Sequence, residues 1–213
     1  MSSETIRVIL VDDHAVVRSG VRLMLGTTSD IVVTGEADSC QAAMKLVSAQ
    51  AFDVALVDIA LPGRNGLELL KQLRQEQPTL AVLMFSMYSE EVYAVRALRQ
   101  GAVGYLTKDS SAAVIIEAVR TAAAGRKYVS PALVERLAEL LGEGVRFPHE
   151  ALSDRELEVM KLLASGDSLV QIAATLHLSA STVTTYRARI LEKTGLKGNT
   201  ALSRYAIEHG LIT

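Results

Sequence analysis

The 213-residue chain contains one cysteine, no internal repeat and no long apolar run. Cys40 by itself excludes an internal disulfide and a CxxC motif, and we expect it to be a small helical or surface residue. Apolar runs such as 31–33 and 112–116 are far shorter than the roughly 20 residues that a membrane helix needs. The four histidines lack metal-site spacing, so none is expected to be a metal ligand.

The total charge is small, but its distribution is uneven. The formal net charge is -2, with 49% hydrophobic and 22% charged residues, as in ordinary folded proteins. Residues 1–125 carry 11 basic and 14 acidic side chains, whereas 151–213 carry 7 and 6. The first six residues include Glu4 and no basic flank, unlike a signal peptide. We therefore expect a cytoplasmic protein with no membrane partner and two halves that suit different partners.

Short β-branched runs alternate with helical patterns through residue 125. This alternation predicts an α/β doubly wound, five-stranded parallel sheet of the flavodoxin-like kind. The predicted strands are 6–11, 31–36, 54–57, 81–85 and 103–106. The predicted helices are 14–25, 40–49, 66–76, 90–99 and 111–124.

The remainder of the chain predicts a linker and a small all-α domain. Pro131 and a leucine stripe over 133–141 indicate a linker helix, and 142–150 is rich in breakers. Ser153 and Glu156 match a capping box at the start of a first helix. Three more short helices are predicted after it: one at 169–176, one that begins at Ser179 or Ser181 and ends at 193, and one that begins at 199 or 200 and ends at 209. The predicted organisation is 1–125, a linker at 126–150 and a helical domain at 151–213.

Polar side chains gather where the predicted strands end. Asp12 and Asp13 follow the first strand, and Asp58, Ser86 and Lys108 follow the third, fourth and fifth. Ligands of open parallel sheets bind at this edge. Carboxylates this close favour a hard cation such as Mg²⁺. Asp58 is then free to act as a nucleophile towards a phosphoryl group. Lys108 and the Ser86 hydroxyl would neutralise the charge on that group.

Residues 1–125 resemble the receiver domain of response regulators. The stretches that carry the likeness are 11–14 (VDDH), 58–63 (DIALPG) and 106–108 (LTK). The resemblance implies that Asp58 accepts a phosphoryl group from a sensor histidine kinase. It also implies that Asp13, Asp58 and the Ile59 carbonyl bind Mg²⁺, with Asp12 acting through water. Ser86 and Tyr105 would be the switch pair, with Ser86 moving towards the phosphate and Tyr105 turning inward.

The second and third helices of the C-terminal domain fit a helix-turn-helix, with the third as the DNA reader. Its charge excess is too small to distinguish a reader from a solvated basic helix. Residues 152–212 resemble the LuxR-type output domain of the NarL class, through 152–159 (LSDRELEV) and 178–183 (LSASTV). The resemblance favours double-stranded DNA. The candidate contacts are Ser181, Thr182, Thr184, Thr185, Arg187, Ala188, Arg189 and Lys193.

Three departures from that family make the base preference uncertain. Thr184 stands where lysine is frequent, Tyr186 where histidine is frequent, and 169–171 (LVQ) replaces a frequent Asn-Lys-Glu. Loss of a lysine should remove about one phosphate contact and flatten the salt dependence.

In the last helix, Leu202, Tyr205 and Ala206 form one stripe, which is either core or, as the family implies, a dimer face.

The resulting interpretation is a transcriptional regulator that binds DNA under the control of Asp58 phosphorylation. It would be a homodimer when active, contact RNA polymerase and catalyse only its own phosphorylation and dephosphorylation. One alternative is a phosphatase, which the lack of a second Asp two residues after Asp58 disfavours. The other is an adaptor whose helical domain never meets DNA.

Overall fold

The computed structural model describes residues 5–62, 65–88, 90–130, 133–134 and 147–212. The chain divides into two compact units, Met1–Arg136 and Leu137–Thr213. This division falls inside the segment predicted as a linker, whose bounds stay a prediction. Apart from 133 and 134, residues 131–146 lie outside the described part, so most of the predicted linker helix is not described.

The N-terminal unit is an α/β sandwich, as predicted. Five strands, all parallel, lie in the order β2-β1-β3-β4-β5. The strands are β1 (Ile6–Val11), β2 (Ile31–Ala37), β3 (Val54–Val57), β4 (Ala81–Ser86) and β5 (Gly104–Thr107). The helices are α1 (Ala15–Leu25), α2 (Cys40–Ala49), α3 (Gly66–Glu76), α4 (Glu90–Arg99) and α5 (Ala112–Ala123).

The core of this unit lies against the central strands. All four residues of β3 are buried, as expected for a parallel strand covered on both faces. Val21 and Leu25 of α1 and Ile115 and Val119 of α5 pack with one face of the sheet. Most strand and helix ends agree with the predictions within one residue. The small differences include Ser86, which ends β4 instead of following it, and β5, which lies one residue later than predicted.

The C-terminal unit is entirely helical where it is described. A 3₁₀ turn at Pro148–Ala151 precedes four helices, α6 (Asp154–Ala164), α7 (Leu169–Thr175), α8 (Ala180–Thr194) and α9 (Asn199–Glu208). The predicted capping box of Ser153 and Glu156 is confirmed, and Ser168 with Gln171 forms a second one. Ser179, not Ser181, is the N-cap of α8. None of the described helices has the length and apolar character needed to cross a membrane.

Candidate functional site

The strand ends of the N-terminal unit hold two buried carboxylates around one ammonium group. Asp12 is 3% exposed and Asp58 2% exposed. Lys108 Nζ lies 2.6 Å from Asp12 Oδ2 and 2.7 Å from Asp58 Oδ2. β1 and β3 are neighbours in the sheet and Lys108 follows β5, so three distant stretches of sequence meet at one edge. Among the described residues, the carboxylates of Asp12 and Asp58 share the Lys108 ammonium, so these three groups together carry one net negative charge.

The ion pairs hold Lys108 in its charged form. Burial alone would lower the pKa of the Lys108 ammonium, but its contacts with the carboxylates of Asp12 and Asp58 outweigh burial and raise that pKa above the ordinary value. Lys108 is therefore a fixed positive charge beside Asp58.

Asp58 Oδ1 is held by two further donors. The Ser86 hydroxyl donates to it at 2.9 Å, and the Ala60 N–H at 3.2 Å. Ser86 is 1% exposed. The carboxylate of Asp58 thus has a fixed orientation, with donors that can also bind the oxygens of an attached anionic group.

Tyr105 lies inside the protein. Its side chain is 1% exposed, and its hydroxyl donates a hydrogen bond to the Tyr88 carbonyl oxygen at 2.8 Å. The Ser86 hydroxyl thus lies against Asp58 and the Tyr105 ring lies inward, and their role as a switch pair stays a prediction.

The acidic edge fits a divalent cation. Asp12, Asp13, His14 and Asp58 place one possible ligand atom each within 4.8 Å of one another. Asp12 Oδ2 is buried, and its close partner among the described residues is Lys108 Nζ, at 2.6 Å. Such an oxygen, beside two other carboxylates, matches the hard ligands that Mg²⁺ prefers. Asp12, Asp13 and Asp58 are thus compatible with magnesium.

The Ile59 carbonyl does not fit its predicted role as a metal ligand. It accepts hydrogen bonds from the N–H groups of Gly66 at 2.8 Å and Leu61 at 3.1 Å. These two bonds use both lone pairs of the oxygen. The resemblance suggested this ligand from its position beside Asp58, but the turn into α3 uses the oxygen internally.

His14 belongs to the acidic cluster, which the sequence analysis did not foresee. Its Nδ1 lies 2.7 Å from Asp13 Oδ1 and 3.2 Å from Asp12 Oδ1. The histidine spacing gave no signal, because the partners are the two preceding aspartates and not other histidines. His14 lies at the solvent-exposed edge of this cluster, since 64% of its side chain is accessible.

Gly66 marks the tightest backbone contact near Asp58. A Cβ atom built on Gly66 would lie 1.9 Å from the Asp58 carbonyl oxygen. α3 therefore begins directly against the backbone of Asp58, and only glycine allows that approach. The Asn65 side chain accepts a hydrogen bond from the Leu67 N–H at 2.9 Å and caps the helix.

In the C-terminal unit, Lys193 holds the start of α6. Its Nζ lies 2.6 Å from Glu156 Oε2, which also accepts a hydrogen bond from the Ser153 N–H at 2.7 Å. Glu156 is 3% exposed. A lysine that neutralises a buried carboxylate has little freedom to reach a phosphate. This pairing argues against Lys193 as a DNA contact. The sequence could not predict it, because Lys193 and Glu156 are 37 residues apart.

We expect Glu156→Gln to lower the free energy of unfolding of the C-terminal unit by about 1–2 kcal/mol at pH 7. Burial by itself raises the pKa of Glu156, but hydrogen bonds from Lys193 and Ser153 outweigh it and hold the pKa below its ordinary value. This stabilisation is present above the unfolded pKa, about 4.3, and is lost as the pH falls through the folded pKa. The difference between the two proteins should therefore shrink below about pH 4.3.

The measurement is urea unfolding of the full chain at several pH values, followed by hydrogen exchange of the amides in α6 and α8. Glu208→Gln is the control, since Glu208 pairs with Arg204 on the surface and its side chain is 53% exposed. An equal loss of stability at pH 7 and pH 3 would contradict the role given to Glu156.

The reader helix α8 exposes most of its predicted DNA contacts. Val183 and Ile190 are buried in the unit, and Thr182 and Arg187 are half-buried. Arg187 Nε donates to Asn199 Oδ1 at 2.8 Å, so this arginine also holds the start of α9. The exposed candidates are Ser181, Thr184, Thr185, Ala188, Arg189 and Lys193.

The stripe on α9 faces the interior of the C-terminal unit, and a role of these residues in a dimer stays a prediction. Leu202 and Ala206 are 0% exposed, and Tyr205 is half-buried with its hydroxyl 2.8 Å from His149 Nδ1. The helical spacing correctly placed the three residues on one side of α9, but that side packs against the unit itself. Ile207, which is 61% exposed, lies on the outer side instead.

The two units match two protein families. Residues 8–120 match the response regulator receiver domain, and residues 150–206 match the bacterial regulatory proteins of the luxR family. The chain belongs to the response regulators that join a receiver domain to a LuxR-type helix-turn-helix domain, the NarL/LuxR class.

Proteins and structures of this class align with almost the whole chain. The probable transcriptional regulatory protein NarL of Mycobacterium tuberculosis is 37% identical over 209 residues, 98% of this chain and 97% of that protein. The response regulator GacA of Pseudomonas aeruginosa is 34% identical, with 97% and 98% covered. Among solved structures, the chain is similar to RcsB from Salmonella enterica serovar Typhimurium, which is bound to promoter P1flhDC in the presence of the phosphomimetic BeF₃⁻. The two are 25% identical and have a TM-score of 0.68, and the alignment covers 95% of this chain and 98% of that one. Such relatives are transcriptional response regulators and not metabolic enzymes.

Proposed function

We propose that this response regulator accepts a phosphoryl group on Asp58 from the phosphohistidine of a sensor kinase and thereby changes its binding to promoter DNA. The observation that carries the proposal is the environment of Asp58. Its buried carboxylate lies among Lys108, the Ser86 hydroxyl and the Ala60 N–H. These donors suit an oxygen nucleophile whose product carries extra negative charge.

The transfer forms one bond and breaks one. An Asp58 carboxylate oxygen attacks the phosphorus, the phosphorus–nitrogen bond breaks, and the kinase histidine leaves with the electron pair. Lys108 and Ser86 then bind the phosphoryl oxygens. Mg²⁺, when held by Asp12, Asp13 and Asp58, would supply additional positive charge at the same oxygens. Water later hydrolyses the acyl phosphate and returns Asp58 to its free form.

The DNA side of the proposal rests on the exposed polar face of α8. RcsB, a relative with the same two domains, binds a promoter in the presence of a phosphomimetic anion. We infer that phosphorylation of this chain likewise favours a DNA-binding dimer. Since Leu202 and Ala206 are buried, that dimer would have to use other residues, and Ile207 is an exposed apolar candidate on α9. Contact with RNA polymerase stays a prediction.

The test is DNA binding by the full chain and by Asp58→Asn, with and without acetyl phosphate and Mg²⁺. We expect the phosphodonor to tighten specific binding by about tenfold for the wild type, a usual size for coupling between sites, and not at all for Asp58→Asn. Asp53→Asn is the matched control, because Asp53 precedes β3 and pairs with Arg7 on the surface. It should respond like the wild type.

Each other outcome points to a different reading. Equal binding by all three proteins, whether or not phosphodonor is present, would remove Asp58 from control of DNA binding. If no condition gives DNA binding that weakens with added salt or heparin, the alternative of an adaptor that binds other proteins is favoured.

A further inference from the structure

The backbone at Asp12 is held from both sides. Its N–H donates to the Ala37 carbonyl oxygen of β2 at 3.0 Å, and its own carbonyl oxygen accepts a hydrogen bond from Arg18 Nη1 of α1 at 2.5 Å. This carbonyl belongs to the peptide group that joins Asp12 to Asp13. Because a peptide group is planar, a bond that fixes its oxygen restricts the directions in which both aspartate side chains leave the backbone.

The Arg18 guanidinium is held in turn by Glu36, which lies beside Leu10 near the end of β2. Arg18 Nε donates to Glu36 Oε2 at 3.2 Å, and Arg22 Nη1 donates to Glu36 Oε1 at 3.1 Å. Arg18 and Arg22 are four residues apart, so α1 presents both on one side. The Arg18 side chain is 17% exposed and that of Arg22 59% exposed. Arg18 is therefore the better shielded of the two partners of Glu36.

The Asp12 carboxylate is oriented by other groups. Its Oδ1 accepts a hydrogen bond from the His14 N–H at 2.8 Å, and its Oδ2 lies 2.6 Å from Lys108 Nζ. These contacts orient the carboxylate relative to the backbone, whereas Arg18 orients the backbone relative to α1 and β2. A metal ligand needs both, because a binding site works only when its groups are held to within about 0.5 Å of the productive geometry.

We propose that Arg18, held by Glu36, is a positioning residue for the divalent cation at the acidic edge. It fixes the peptide group between Asp12 and Asp13 and so keeps their two carboxylates in the arrangement that a shared cation needs. The inference rests on the proposed function, because Asp12 and Asp13 are the ligands assigned there to Mg²⁺. Loss of a group that supports metal ligands commonly weakens metal binding by about 10- to 100-fold.

A role through charge alone would have the opposite effect on metal binding. A positive charge near the site repels a cation, so Arg18→Gln would then tighten Mg²⁺ binding. A positioning role predicts that the same variant weakens it. Arg18→Lys keeps the charge but lacks the planar fork of donors with which arginine bonds the Asp12 oxygen and Glu36 at the same time. It should therefore weaken binding too, whereas a role through charge alone predicts no change.

The first measurement is isothermal titration calorimetry of the full chain with MgCl₂. We expect Arg18→Lys and Arg18→Gln each to raise the dissociation constant about tenfold and to keep the stoichiometry of the wild type. Glu36→Gln, an isosteric change that weakens the hold on the guanidinium, should raise the constant too, and it decides the question should neither Arg18 variant fold. Arg120→Lys is the control, since Arg120 pairs with Asp30 just before the start of β2, at the end away from the site.

Phosphorylation at a series of Mg²⁺ concentrations, at constant ionic strength, gives a second readout. Arg18→Lys should need about tenfold more Mg²⁺ for half-maximal labelling by acetyl phosphate and should reach the wild-type rate once Mg²⁺ saturates. A purely structural role of Arg18 predicts instead a lower rate at every Mg²⁺ concentration. Urea unfolding in EDTA measures the stability of each variant without metal.

The outcomes distinguish this inference from the function on which it rests. If Arg18→Gln binds Mg²⁺ at least as tightly as the wild type, or if Arg18→Lys equals the wild type, the positioning role is wrong and the magnesium site stands. If the wild type binds no Mg²⁺, Arg18 has no cation to serve and the inference fails. Acetyl phosphate then decides about the proposed function, which is overturned if Asp58 accepts no phosphoryl group.

Discussion

Replacing Lys108 with methionine is expected to lower the free energy of unfolding of the N-terminal unit by about 3 kcal/mol in magnesium-free buffer at neutral pH. The substitution keeps the length of the side chain and removes the only cation within 3 Å of Asp12 Oδ2 and Asp58 Oδ2 among the described residues. Two buried carboxylates then repel each other without compensation. Mg²⁺ should restore more stability to the variant than it adds to the wild type.

The same variant should accept phosphoryl groups from acetyl phosphate about 100-fold more slowly, because a fixed positive charge near the developing anion is lost. Urea unfolding with EDTA or with Mg²⁺ measures the first effect, and phosphate-affinity gel electrophoresis measures the second. Lys45→Met, which removes an exposed lysine from α2, is the control. A Lys108→Met protein as stable as the wild type without magnesium would show that the carboxylates do not depend on this lysine.

Gly66→Ala is expected to destabilise the N-terminal unit by about 3 kcal/mol or more, the upper range for inserting a group into filled space. The new Cβ would lie 1.9 Å from the Asp58 carbonyl oxygen and 3.0 Å from Ile59 Cα. Both are backbone atoms, so the clash cannot be relieved by rotating a side chain. Since the Asp58 backbone must shift, phosphorylation should fall together with stability.

Gly20→Ala provides the matched control for this prediction. Gly20 lies within α1, and in the described part of the chain nothing beyond the neighbouring residues and backbone of α1 lies within 4 Å of a Cβ placed there. Alanine should therefore stabilise the helix by about 0.5–1 kcal/mol. Thermal unfolding of both variants measures the contrast, and a Gly66→Ala protein with wild-type stability would mean that the start of α3 can move away from Asp58 at little cost.

The sequence predicted the elements of the fold well, because its signals for them are local. Apolar β-branched runs such as 54–57 coincide with strands, and the Ser153–Glu156 box marks the start of α6. The gathering of Asp12, Asp58 and Lys108 was predictable too, since parallel strands bring their carboxyl ends to one edge.

What the sequence could not decide concerns contacts that no local pattern encodes. Helical spacing placed Leu202 and Ala206 on one face of α9 but could not say whether that face meets the core or a second chain. The ion pair of Lys193 with Glu156 joins two helices far apart in sequence. The Ile59 carbonyl is occupied because of the turn into α3, and a turn's hydrogen bonds depend on the folded backbone.

The order of the strands also determines when the proposed phosphoacceptor site can form. Parallel neighbours need long crossover connections, so β1 and β3 pair through residues as distant as Val8 and Val54, and Asp58 meets Lys108 across 50 residues. Contacts so distant in sequence form slowly and only after both stretches have left the ribosome. A nascent chain that has not yet reached Lys108 offers a kinase no complete acceptor. The proposed competence for phosphorylation is therefore a property of the finished N-terminal unit, and a chain could acquire it while its C-terminal unit is still being made.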